Sequence, residues 1–277
     1  MEMSTLAKRV ITAGILIPVV VASILFLATE QLAIVIAAIA LLAGLEWTTL
    51  AGIHTAIAKA VFLAVLAACL YASYELVSQA WFTDWVLLFA AVWWFIVTIV
   101  LFSYKQINRA APGVGIVTGL ICYLVLIPLW IALLLMHKSG DDGPFIVLFL
   151  LVLIWIADSG AYFSGMRWGR VKLAPVVSPK KSWEGVYGAL FGALICGVFL
   201  AWYYQGEAGA LWLIPVCIVT VAISIVGDLF ESLLKRRVDM KDSGTILPGH
   251  GGVLDRIDSL IAAAPVFTLG LQLTIGL

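Results

Sequence analysis

Charge is what this chain has least of: Asp, Glu, Lys and Arg together make up 12% of its 277 residues, against about 25% in soluble domains. An excess of either sign is missing too. Sixteen Lys and Arg balance sixteen Asp and Glu, which leaves no basic face for nucleic acid and no reason to expect it as a partner. Cysteine is sparse. Cys69, Cys122, Cys196 and Cys217 all lie inside apolar runs, without CxxC spacing or a histidine nearby, which excludes a disulfide framework and a zinc site. The three histidines, His54, His137 and His250, are too scattered to suggest a metal cluster. Neither GxxxxGK[ST] nor GxGxxG occurs, and there is no internal repeat or low-complexity tract. What remains is apolar: 64% of residues are hydrophobic and mean hydropathy is +1.13. A soluble enzyme and a disordered chain are both excluded.

Nine apolar runs are long enough to be membrane spans, at about 10–29, 31–50, 57–78, 86–103, 113–136, 145–162, 186–204, 209–234 and 253–277. The expected fold is therefore an all-α polytopic membrane protein with about nine transmembrane helices. With the N-terminus in the cytoplasm, fifteen of the sixteen basic residues fall on the cytoplasmic side and only Lys138 on the other, as the positive-inside rule requires. Trp81, Trp85, Trp202 and Trp212 fall at the outer boundary, and Trp47, Trp168 and Trp183 at the inner one, the positions of an aromatic belt. The chain divides into residues 1–143, about five spans with few ionisable groups, and residues 144–277. The second region holds two basic cytoplasmic loops, about 163–185 and 235–252, and most of the membrane carboxylates. Gly188, Gly192 and Gly197 read as a small-residue packing face, and Pro128 and Pro215 as helix bends.

An ionisable group inside a span is a functional candidate by default. Glu46, Asp158, Asp228, Glu231, Asp255 and Asp258 all qualify, and the orientation puts each toward the cytoplasmic end of its span. Asp228 and Glu231 share one helix face, as do Asp255 and Asp258, because each pair is spaced i, i+3. Interfacial side chains reaching water would also explain single acids, and Glu46 is read that way, so its replacement by Gln should cost little. The others converge from three helices at one depth, where they would repel one another unless a cation sat between them. Oxygen donors without His or Cys select a hard ion such as Mg²⁺.

Two loops flank these acids. Ser178-Pro179-Lys180-Lys181-Ser182-Trp183-Glu184-Gly185 carries two lysines. The second loop holds Lys235-Arg236-Arg237 and Lys241, then Gly249-His250-Gly251-Gly252 before a helix that opens with Asp255-Arg256. Glycines ahead of a helix N-terminus allow close approach of a phosphate. The cations could equally anchor the cytoplasmic face on anionic lipid. Acids for Mg²⁺, cations for phosphate and a site at the lipid–water boundary point to phosphoryl or nucleotidyl transfer to a lipid.

Ser232-Leu233-Leu234-Lys235-Arg236, Lys241-Asp242-Ser243-Gly244 and Pro248-Gly249-His250-Gly251-Gly252-Val253-Leu254-Asp255-Arg256-Ile257-Asp258 form a block of 27 residues. That block closely resembles the signature of the phosphatidate cytidylyltransferases (CDP-diacylglycerol synthases). Ala157-Asp158-Ser159-Gly160-Ala161-Tyr162, the Ser178–Gly185 segment and Gly227-Asp228-Leu229-Phe230-Glu231-Ser232 resemble the family as well, whereas the N-terminal half matches only in being hydrophobic. The resemblance implies transfer of CMP from CTP to phosphatidate, giving CDP-diacylglycerol and pyrophosphate, with Mg²⁺ and a second cation left open. It also implies a homodimer in the cytoplasmic membrane with its site facing the cytoplasm. Carried onto this sequence, the resemblance makes Asp228 and Asp255 metal ligands. The residues themselves add Asp258 and Lys241 to a catalytic set of Asp228, Asp255, Asp258 and Lys241, make Lys180, Lys181, Lys235, Arg236, His250 and Arg256 the substrate-binding set, and add Glu231 and Asp158 as further metal ligands. Two other readings stay open: a CTP-dependent polyprenol or phytol kinase, and a cation transporter, which would hold its acids nearer the midplane.

Overall fold

In a computed structural model the structure describes residues 5–103, 114–247, 249 and 251–276, with the side chains of 5–10 and 114 left out. His250, Lys105 and Arg109 lie outside the described residues. The described chain forms nine helices: α1 (Thr5–Phe26), α2 (Thr29–Leu50), α3 (Ala56–Leu76), α4 (Ala80–Ser103), α5 (Val114–His137), α6 (Gly143–Trp168), α7 (Trp183–Tyr203), α8 (Leu213–Arg237) and α9 (Leu254–Ile275). Eight of them, α2 to α9, are long and apolar enough to cross a membrane, and α1 contributes the shorter apolar stretch Ile11–Phe26. The protein is an all-α polytopic membrane protein, as expected.

The helices alternate in direction, and contacts at both ends confirm it. At one face the end of α5 meets the α1–α2 turn, where His137 Nδ1 lies 3.0 Å from Thr29 Oγ1 and Nε2 lies 3.0 Å from the Ile24 carbonyl. At the same face Asp142, before α6, accepts hydrogen bonds from Tyr203 and Tyr204 at the end of α7. The opposite face gathers the C-terminal ends of α2, α4, α6 and α8 and the N-terminal ends of α7 and α9. All the span carboxylates considered above are there.

Two differences from the expected spans bear on that face. Helix α6 runs six residues further than its apolar core, to Trp168. The basic loop after it then folds into a two-stranded antiparallel hairpin, β1 (Lys172–Ala174) and β2 (Ser178–Ser182). The Ser178–Gly185 segment thus has a local structural purpose. Ser182 caps α7 by accepting from Gly185 N at 3.2 Å, and the Glu184 carboxylate accepts from Val171 N at 3.2 Å, tying the hairpin base to the helix. On β2, Lys180 is exposed and Lys181 half-buried.

Lipid offers helices no hydrophobic reason to associate, so small residues that let backbones approach carry the packing. A Cβ on Gly188 would collide with Ser164 and the Gly160 carbonyl of α6, one on Gly192 with Ile156, and one on Gly197 with Ile214 of α8. The expected glycine face is therefore real, and it seats α7 between α6 and α8. Overpacking such a contact costs about 1–3 kcal/mol. Gly188→Val should accordingly lower the melting temperature in detergent, while Gly14→Ala, with nothing within 4 Å of its Cβ, should not.

Six of the seven belt tryptophans are exposed, but Trp47 is buried and donates to the Thr118 carbonyl at 2.7 Å, joining α2 to α5. An indole needs only one acceptor to be content in the core. Pro215 bends nothing, because it falls in the first turn of α8, where its missing N–H has no helical partner to lose. Pro128 does lie inside its helix. The four cysteines are free, three of them buried. One continuous cluster of buried apolar residues runs from Ile24 in α1 through α5 to Leu271 in α9.

Candidate active site

A cavity of about 390 Å³ opens between α6, α7, α8 and the hairpin. Asp158, Lys180, Lys181 and Asp228 supply its charged end, and Tyr162, Met166, Val186 and Ile225 an apolar wall. Asp228 and Lys181 form an ion pair at 2.5 Å, each side chain about a third exposed. The other oxygen of Asp228 accepts from Ser232 Oγ at 3.4 Å, one turn on. Asp158 is exposed on α6, within electrostatic reach of Asp228, Lys181 and Arg256. Asp258 on α9 interacts with Asp228, Lys181 and Lys235. The i, i+3 acids and the hairpin lysines thus do converge.

Behind the cavity lies a second, more enclosed group. Lys235 Nζ sits 2.5 Å from Glu231 Oε2, on its own helix at i, i+4, and 2.6 Å from Asp255 Oδ1 on α9. Both acids are nearly buried, with side-chain exposures of 3% and 6%. Asp255 Oδ2 accepts from Ser243 N at 3.0 Å and Gly252 N at 2.8 Å. The carboxylate of Asp255 is therefore saturated by one ammonium and two peptide groups. Glu231 differs: it touches the ammonium as an ion pair, yet neither of its oxygens receives an aligned hydrogen bond. Repulsion among these acids predicts a cation between them, and the chain's own Lys235 and Lys181 stand in that place.

The glycines before α9 behave differently from the expectation of a phosphate cradle. The N–H groups of Gly252, Val253 and Leu254 already bond to carboxylates, the first to Asp255 and the other two to Glu46. Glu46 itself, read as an interfacial acid, is 5% exposed and faces protein. It is the residue that sequence reasoning missed. The available signal was its position, an ionisable side chain inside a span. Of the remaining cations, Arg256, Lys241 and Arg236 are exposed, and Arg236 bonds to the Met240 carbonyl at the end of α8.

For a metal, the donors fit a particular kind of site. Among the described residues no three of His, Cys, Asp and Glu stand close enough to form a cage. Mg²⁺ is usually held by one or two carboxylates, waters and substrate phosphates rather than by an all-protein cage. Asp228, exposed to the cavity beside Asp158, and the unpartnered Oε1 of Glu231 suit that arrangement.

Fold and site together define a polytopic membrane protein whose acids and lysines share one amphiphilic cavity at the span ends. The comparisons identify the lineage. The profile of the cytidylyltransferase family matches residues 7–274, and the chain belongs to that family. It is 41% identical over 263 residues to the phosphatidate cytidylyltransferase of Pseudomonas aeruginosa, covering 95% of each chain. It is 36% identical over 282 residues to that of Haemophilus influenzae, covering 95% of this chain and 97% of the relative. The corresponding Brucella suis protein shares 43% over 141 residues, about half of each chain.

Proposed function

We propose that the protein transfers CMP from CTP to phosphatidate, releasing pyrophosphate and leaving CDP-diacylglycerol in the membrane. The observation that carries this reading is the cavity itself. Its charged end (Asp158, Lys180, Lys181, Asp228) and its apolar wall (Tyr162, Met166, Val186, Ile225) lie side by side at the span ends, which is the shape required by a substrate with a phosphate head and a lipid body. The family relationship agrees with it.

In this reading a phosphate oxygen of phosphatidate attacks the α-phosphorus of CTP, the new P–O bond forms, and the bond to the bridging oxygen of the β-phosphate breaks. A phosphate monoester is already largely ionised near neutral pH, so no side chain has to remove a proton. Positioning and charge stabilisation carry the catalysis. Lys180 and Lys181 reach the phosphates from the hairpin, and Arg256 from the first turn of α9, offsetting charge on the attacking and leaving oxygens. Lys181 exchanges Asp228 for phosphate as it does so. Mg²⁺, when bound, adds Lewis-acid polarisation of the phosphoryl oxygens. Asp228, with Asp158, would hold it at the cavity, and Asp255 would join them only by releasing Lys235 from its Oδ1. Assembly as a homodimer belongs to the same proposal and rests on the family resemblance; crosslinking in native membranes reads it.

The direct assay is incubation of purified protein with CTP and phosphatidate. CDP-diacylglycerol and pyrophosphate in equal amounts are expected, and failure with phosphatidate combined with turnover of a free polyprenol would replace this reading by the lipid kinase. Orientation follows from the charge asymmetry, with the hairpin and the 238–253 loop on the cytoplasmic side of the membrane. Single cysteines at Pro175 and Thr245, in an otherwise cysteine-free variant, should react with impermeant maleimide only from that side. Labelling from the outside would overturn the orientation.

A further inference from the structure

Helix α9 starts without a cap of its own, for Val253 occupies the cap position and makes no side-chain hydrogen bond. The first N–H groups of a helix need acceptors from elsewhere. They come from 208 residues away. Glu46 Oε1 accepts from Val253 N at 3.0 Å, and Oε2 accepts from Leu254 N at 2.8 Å and from Ser243 Oγ at 3.2 Å. An anion at this end of the helix is favoured by the helix dipole as well. Two glycines make room for it. A Cβ on Gly252 would strike both oxygens of the Glu46 carboxylate, and one on Gly244 would strike Oε1.

The adjoining donors go to Asp255, which takes Ser243 N and Gly252 N. Two carboxylates thus divide the polar groups of one loop, and Ser243 touches both, its N–H on Asp255 and its hydroxyl on Glu46. Glu46 does not line the cavity. Its bonds go instead to the two peptide groups immediately before Asp255 in the chain.

We infer that Glu46 is a positioning residue for the transfer reaction: by holding the first turn of α9 it sets where Asp255, and through it Lys235, stands beside the cavity. The inference rests on the activity proposed above. All three groups facing Glu46 are donors, so only a full acceptor fits. Gln turns an NH₂ toward one of them, whereas Asp keeps both acceptor oxygens on a stem one methylene shorter. A shift of about 1 Å in a reacting constellation can cost 10²-fold in rate.

The test compares wild type, Glu46→Gln and Glu46→Asp in detergent. It measures kcat and KM for CTP and phosphatidate together with amide hydrogen exchange by residue. Glu46→Gln should lose about 10- to 100-fold in kcat with KM values little changed, and exchange should accelerate at residues 243 and 252–254 alone. Glu46→Asp should recover part of both and stay short of wild type, its stem being one methylene shorter. Should Glu46→Gln yield no folded protein, Glu46→Asp carries the test, with reduced kcat and local exchange supporting the inference and wild-type values of both overturning it. Wild-type kcat in Glu46→Gln overturns it, as does a loss matched by faster exchange through all the helices, which would make Glu46 a general stabilising group. A wild type inactive with CTP and phosphatidate defeats the proposed activity and this inference together. An active wild type matched by Glu46→Gln defeats the inference alone.

Discussion

Asp228→Asn is expected to lower turnover by on the order of 100-fold or more, in line with the several kcal/mol that metal charge stabilisation supplies, while the melting temperature changes little. The Asp228 side chain is about a third exposed at the cavity, and its Lys181 partner can turn to solvent, so an amide there leaves no buried charge stranded. Asp255→Asn should cost activity equally and stability besides. Its Oδ2 accepts two peptide N–H groups while Oδ1 holds Lys235, and an amide in that setting either faces donors with a donor or abandons the ammonium. Thermal melts measured beside kcat separate the two variants. Wild-type activity in Asp228→Asn, in folded protein, would remove that residue from the site.

Lys235→Met is the second variant with a large expected effect, and here stability is the first casualty. One ammonium faces two nearly buried carboxyl groups at 2.5 and 2.6 Å, which gives the group a formal charge of minus one. Deleting the lysine raises that to two in the same enclosed volume. Breaking a buried pair in this way costs about 3–5 kcal/mol. Restoring the balance should restore the fold: Lys235→Met combined with Glu231→Gln returns the group to a single negative charge. The double variant is expected to regain expression and melting temperature but not turnover, because Asp255 has still lost the cation that orients it. A double variant as unstable as the single one would show that the ammonium holds the fold by something other than charge.

These expectations differ in how far they could be read in advance. The spans, the gathering of the acids at one set of span ends and their pairing on α8 and α9 follow from hydropathy, alternating helix direction and i, i+3 spacing, all local properties of the chain. Asp158, Asp228, Lys180 and Lys181 were legible as candidates for the same reason, since each lies at a span end or in the loop beside one. What a sequence does not display is which helix neighbours which. The Lys235 bridge to Asp255 joins α8 to α9, and the role of Glu46 depends on α2 ending beside the start of α9. Repulsion among the acids was a sound argument for a cation; that a lysine four residues along the same helix could be that cation was available from the Glu231–Lys235 spacing. The hairpin escaped notice because two strands of three and five residues, one containing Pro179, leave no alternating pattern long enough to register.

The central claim is that the nucleotidyl group, and not the terminal phosphoryl group, moves to the lipid. Purified protein given phosphatidate and CTP labelled separately at the α- and the γ-phosphorus decides it. Transfer of CMP predicts that the α-label enters the chloroform-soluble fraction as CDP-diacylglycerol while the γ-label is recovered as pyrophosphate. Lipid carrying the γ-label, with the α-label left in CDP, would contradict the account.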